Sequence, residues 1–149
     1  MKTAALELEY LLDATVSKVW EALTKNALME KWYFNLAEFK PEIGFEFQFY
    51  GSKDDTRYLH LCKVTEVIPE KKLSYTWKYD QFPGETTVSF MLFDIEGKTR
   101  LKLSHSGIES FGTENPDLSR ASFEQGWTYI LGTSLKNFIE NRHEITHNL

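Results

Sequence analysis

The residues that most invite a chemical reading lie at the end of the chain. His143-Glu144-Ile145-Thr146-His147 spells H-E-x-x-H. On a helix its two imidazoles would share one face and could bind zinc, with Glu144 activating a water. A helix usually frays at such a position. No third ligand follows before Leu149, so one would have to come from elsewhere in the fold. The motif is read as chance, and no metal or cofactor is expected.

His105 follows Leu101 and Leu103 at two-residue spacing, so on a strand all three share a face. A histidine there is either a core residue with its ring nitrogens hydrogen-bonded, or a polar group aimed into a pocket. In the second case it would hold a ligand carbonyl or phenol. His60 lies in a stretch whose alternation is less regular, and its facing is left open. Cys62 is the single cysteine. It has no histidine and carboxylate placed for it in sequence, and a buried, inert thiol is expected. The chain holds no G-x-S-x-G, no phosphate-cradling glycine loop, no Cys-x-x-Cys and no evident pair of catalytic carboxylates. No catalytic residue is assigned.

Composition narrows the partners. With 17 basic and 22 acidic side chains the formal charge is −5, the wrong sign for neutralising phosphates. Nucleic acid and anionic membrane are therefore not expected as partners. No window approaches the roughly 18 apolar residues of a membrane span. The lone cysteine and the charged start, Met1-Lys2-Thr3, fit a cytoplasmic protein without a signal peptide. The 149 residues fit one domain, expected over 1–149. Twenty-two aromatics (eleven Phe, seven Tyr, four Trp) are an unusual load for that length. They can fill a core or line a pocket for a flat, apolar ligand.

The elements that would carry these residues follow from periodicity. Residues 4–13 alternate, with Leu6, Leu8, Tyr10 and Leu12 on one face, and predict a half-buried strand. Thr15 caps a short helix bearing Val16, Val19, Trp20 and Leu23, and Asn26 is expected to cap a second one through Trp32. From Phe39 to Gly107 the period is two. Phe45/Phe47/Phe49, residues 57–68, Leu73/Tyr75/Trp77/Tyr79, Val88/Phe90/Leu92 and Leu101/Leu103/His105 form successive strands. Their one-sided alternation predicts an antiparallel meander with a dry face. Residues 107–118 read as a loop. Ser119 to Arg142 reads as the longest helix, with Phe123, Trp127, Ile130, Leu131, Ser134 and Phe138 on one stripe. That helix is the element large enough to cover the sheet.

This order is similar to the helix-grip fold of the birch-pollen-allergen-like, START-like superfamily (SRPBCC). Val19-Trp20-Glu21-Ala22-Leu23-Thr24 with Trp32 resembles the opening of its family of homologues of the activator of heat shock protein 90 ATPase. So do Val64–Pro69 leading into Leu73-Ser74-Tyr75-Thr76-Trp77, the run Thr99–Gly107, and Gly126-Trp127. The resemblance covers roughly residues 5–140. It implies an α+β fold: a curved antiparallel sheet of about six to seven strands around a long C-terminal helix, with two short helices after the first strand. It also implies a cavity between sheet and helix.

Combining inward stripes with that cavity gives a candidate ligand site. The strands supply Phe45, Phe47, Tyr75, Trp77 and His105, and the helix supplies Trp127, Ile130 and Phe138. Gly126 is expected to let the helix approach the sheet closely beside Trp127. The resulting expectation is a module binding a hydrophobic or aromatic small molecule, such as a lipid or polyketide. Two alternatives come from other classes. One is a co-chaperone domain contacting heat shock protein 90, implied by the family resemblance alone. The other is a cyclase- or dehydratase-like enzyme using the same cavity, which requires two or more converging polar groups.

Overall fold

Alternation of apolar and polar residues builds most of this structure. The computed structural model describes residues 4–33, 36, 38–53 and 56–140. Strand β1 (Leu6–Leu12) leads into helix α1 (Val16–Thr24) and helix α2 (Asn26–Trp32). Five strands follow: β2 (Glu46–Lys53), β3 (Thr56–Ile68), β4 (Lys72–Tyr79), β5 (Thr86–Ile95) and β6 (Lys98–Ser106). All pairings are antiparallel and the sheet order is β1-β6-β5-β4-β3-β2. This is the expected α+β helix-grip architecture, with six strands among the described residues.

Local chemistry sets the joints. The Thr15 hydroxyl accepts from the Lys18 amide at 3.3 Å and caps α1. Asn26 is not the cap of α2. Lys25 alone joins the two helices, serving as C-cap of α1 and N-cap of α2, so Asn26 is already the first helical residue. Glu96 and Gly97 turn β5 into β6 with positive φ at both positions, the two-residue geometry that matches strand twist. A bulge at Thr65 interrupts β3, because Val64 pairs with Tyr75 while Glu66 pairs with Ser74.

The 107–118 connection contains two short 3-10 turns, Ile108–Phe111 and Pro116–Leu118. Helix α3 (Arg120–Tyr129) then starts on Ser119, whose hydroxyl accepts from the Ser122 amide at 3.2 Å. The closing helix is not uniform: residues Ile130–Leu135 form a π segment before α-helix resumes through Glu140. Phe123, Trp127, Leu131 and Leu135 are all buried. Four-residue spacing drifts about 40° per step on an ideal α-helix. The wider π turn takes up that drift, so all four stay on the sheet.

The close approach of helix to sheet falls at Gly132. A Cβ there would meet the Tyr10 ring at 3.0 Å, whereas one at Gly126 would meet nothing within 4 Å. Gly126 faces open space, which corrects its expected role. Anchoring bonds complete the grip. Arg120 donates to the carbonyls of Ala4 and Ala5, and Ser134 Oγ donates to the Trp32 carbonyl at 2.7 Å.

Candidate functional site: an aromatic cavity under the closing helix

The dry face of the sheet is divided in two. On one side Phe47 meets Phe39 and Tyr75 edge-on, each at 5.0 Å, and the space is filled by these rings. On the other side, beside the contact of Trp77 with Trp127 at 5.5 Å, there is a cavity of about 680 Å³, partly open to solvent. That volume suits a small organic ligand. Strands β3 and β4 contribute Tyr58, His60, Trp77 and Tyr79; the end of α2 contributes Lys31, Trp32 and Tyr33. Asp117 and the closing helix from Ser122 to Ser134 form the opposite wall, Gly126, Trp127 and Ile130 among them.

Of the eight residues expected to contact a ligand, Trp77, Trp127 and Ile130 stand in this wall. The other five lie elsewhere. Phe45 and Phe47 pack on Phe39 in the filled half. Tyr75 is buried with its hydroxyl 2.7 Å from that of Tyr33. Phe138 is half-buried against the core beyond the π segment.

His105 is fully buried, and its ring is committed to the core. The Trp127 indole N–H donates to its Nδ1 at 3.0 Å, which leaves the proton on Nε2. Nε2–H then donates to Thr86 Oγ1 at 2.8 Å, and the Thr86 hydroxyl in turn donates to the Trp77 carbonyl at 2.8 Å. Every member of this relay is satisfied by protein. Burial lowers the His105 pKa to about 3, so the imidazole is neutral. It braces Trp127, a wall of the cavity, from behind. Of the two sequence-level readings of His105, the geometry is that of the hydrogen-bonded core residue.

The histidine in the wall is His60. Its ring stacks on Phe49 at 4.5 Å and meets Trp77 and Tyr79 edge-on at 4.8 Å each. Nδ1 donates to the Tyr58 carbonyl at 3.0 Å. Burial lowers its pKa to about 4, against the opposing pull of the Tyr58 and Phe49 carbonyls. Burial likewise raises the phenols of Tyr33 and Tyr79. Near the 3-10 turn, Tyr58 donates to Asp117 Oδ2 at 2.6 Å and accepts from Asn115 Nδ2 at 3.2 Å. Cys62 is buried, and burial pushes its thiol pKa up.

Among the described residues no cluster of three His, Cys, Asp or Glu side chains could hold a metal. The His143–His147 motif lies outside them. Within the described residues no helix is long and apolar enough to cross a membrane.

An antiparallel sheet gripping a C-terminal helix over an aromatic cavity defines a helix-grip protein of the SRPBCC kind. Residues 13–140 match the family model described as activator of Hsp90 ATPase homolog 1-like protein, and the chain belongs to that family. It is 27% identical over 115 residues to the activator of 90 kDa heat shock protein ATPase homolog 2 of Mus musculus. That match takes in 76% of this chain but only 33% of the mouse protein, so the chain corresponds to about a third of its relative. Protein MLL2253 of Mesorhizobium loti is similar at 28% identity and TM-score 0.73, over 91% of this chain and 96% of that one. DynU16, a protein in the dynemicin biosynthetic locus, shares the fold at 21% identity and TM-score 0.75, over 93% of this chain and 48% of its own.

Proposed function

We propose that the protein binds a hydrophobic or aromatic small molecule, of lipid or polyketide type, between the sheet and the closing helix. The observation that carries this reading is the partly open cavity of about 680 Å³ walled by Trp32, Tyr33, Trp77, Phe123 and Trp127. Apolar burial against these rings supplies the affinity. The DynU16 fold neighbour, in a biosynthetic locus, agrees in kind. Binding is favoured over acid–base catalysis. The buried titratable groups of the wall are shifted away from neutrality, His60 down and Tyr33 and Tyr79 up, whereas a general acid or base works best near the operating pH. A cytoplasmic setting belongs to the same proposal.

Native mass spectrometry of freshly purified protein, with tryptophan fluorescence titrations of aromatic and acyl compounds, tests this. A co-purifying mass or a micromolar quench supports it. No binding better than millimolar across a broad panel overturns it.

Family membership supports a second reading, contact with a chaperone of the heat shock protein 90 type. Stimulation of that chaperone's ATPase by the isolated chain is its test. An unchanged rate at saturating protein rejects it.

A further inference from the structure

Tyr79 is in the cavity wall and only 6% exposed. Its oxygen accepts the Trp77 indole proton at 2.9 Å. That accounts for one lone pair, not for the phenol's own proton. Around the ring stand His60 at 4.8 Å, Phe111 at 5.4 Å and Tyr58 at 5.6 Å. Among the described residues the indole donor is the hydroxyl's one hydrogen-bond partner, and no acceptor lies within reach of its proton.

A buried O–H without an acceptor is costly, and the described residues of the wall offer it none. In the open cavity water can take the proton. A ligand that displaces this water restores the bond only if it brings an acceptor. The indole donation also polarises the phenol and makes it a stronger donor. We infer that Tyr79 Oη is the orienting donor of the site, selecting apolar ligands that carry a carbonyl-type oxygen at their buried end. Burial keeps the phenol protonated throughout the physiological range, so the donor is always available. This rests on the ligand-binding reading and adds to it a polarity and a direction.

Fluorene and 9-fluorenone are planar three-ring probes of nearly equal shape that differ by one carbonyl. Titrated into the intact protein, fluorenone should bind roughly tenfold more tightly than fluorene, the span of one well-made hydrogen bond. Tyr79→Phe should bring fluorenone down toward the affinity of fluorene in the same variant. The carbonyl stretch of bound fluorenone should move to lower wavenumber in the parent protein, a readout that survives even if the variant folds poorly. Equal affinities in the parent, a preference that persists in Tyr79→Phe, or an unshifted carbonyl would each overturn the role of Tyr79 while leaving ligand binding in place. Failure of both probes to bind the parent would instead remove the cavity reading, and this inference with it.

Discussion

Trp127 Nε1 donates to His105 Nδ1 at 3.0 Å, a bond between the closing helix and the sheet buried on both sides. It fixes the imidazole tautomer and the indole together. Trp127→Ala should cost about 3–5 kcal/mol, as for emptying a large buried aromatic site. Trp127→Phe keeps much of the volume and should cost less, while losing the bond to His105. Chemical denaturation of the three proteins checks both. A cost below about 1 kcal/mol for the alanine variant would contradict the burial.

His105→Phe separates structure from recognition. It leaves the Trp127 indole without an acceptor, whereas Thr86 still reaches the Trp77 carbonyl. A loss of about 1–3 kcal/mol of stability is expected from one orphaned buried donor. Since His105 is behind the wall, affinity for apolar probes should change little, as measured by fluorescence titration.

The two buried histidines predict acid lability. The folded pKa values are about 4 for His60 and about 3 for His105, both below the ordinary 6.5. Between these limits the unfolded chain binds more protons than the folded one, so stability rises with pH there and levels off above about 6.5. Each histidine contributes a slope of about 1.4 kcal/mol per pH unit in its window. Melting followed from pH 7 down to pH 4 should show a steep loss. His60→Gln should flatten it, and an unchanged slope in that variant would remove His60 as a source.

Most of the fold could be read from period-two stripes, because each strand has one dry face and the register follows from it. The site was less legible. Tyr58, His60, Cys62 and Val64 all point inward, but the bulge at Thr65 flips the phase so that the run of residues 57–68 shows no single alternation. That concealed the face of His60. Tyr79 continues the Tyr75/Trp77 stripe, yet no pattern in the chain tells which half of a stripe is packed and which lines a void. The void depends on Phe39, Phe47 and Tyr75 filling their half. The π segment was hidden for another reason. Phe123, Trp127, Leu131 and Leu135 have helix-like spacing, and only the wider turn keeps them aligned.

Cys62 should react slowly. It is buried, and its thiol is shifted away from the reactive thiolate. A disulfide reagent added to native protein at pH 8 should label it only on the timescale of unfolding, and denaturant should release full reactivity within the mixing time. Rapid labelling of the native state would show an opening near β3.

The two glycines of the closing helix should respond oppositely to added side chains. Gly126 has open space where a Cβ would go, and it stands in the cavity wall. Gly126→Ala should raise stability by about 0.5–1 kcal/mol, since alanine is the better helix former and nothing obstructs it. Gly132→Ala meets the Tyr10 ring at 3.0 Å, so the ring must yield and the propensity gain is offset. Thermal melts should therefore rank Gly126→Ala above Gly132→Ala. Extending the side chain then tests the site. Gly126→Phe should keep the fold but crowd the cavity between Tyr58 and the helix, weakening fluorene and fluorenone together, whereas Gly132→Ala should leave both affinities unchanged. If Gly126→Phe binds the probes as well as the parent does, ligands enter elsewhere and the wall at Gly126 is not part of the site.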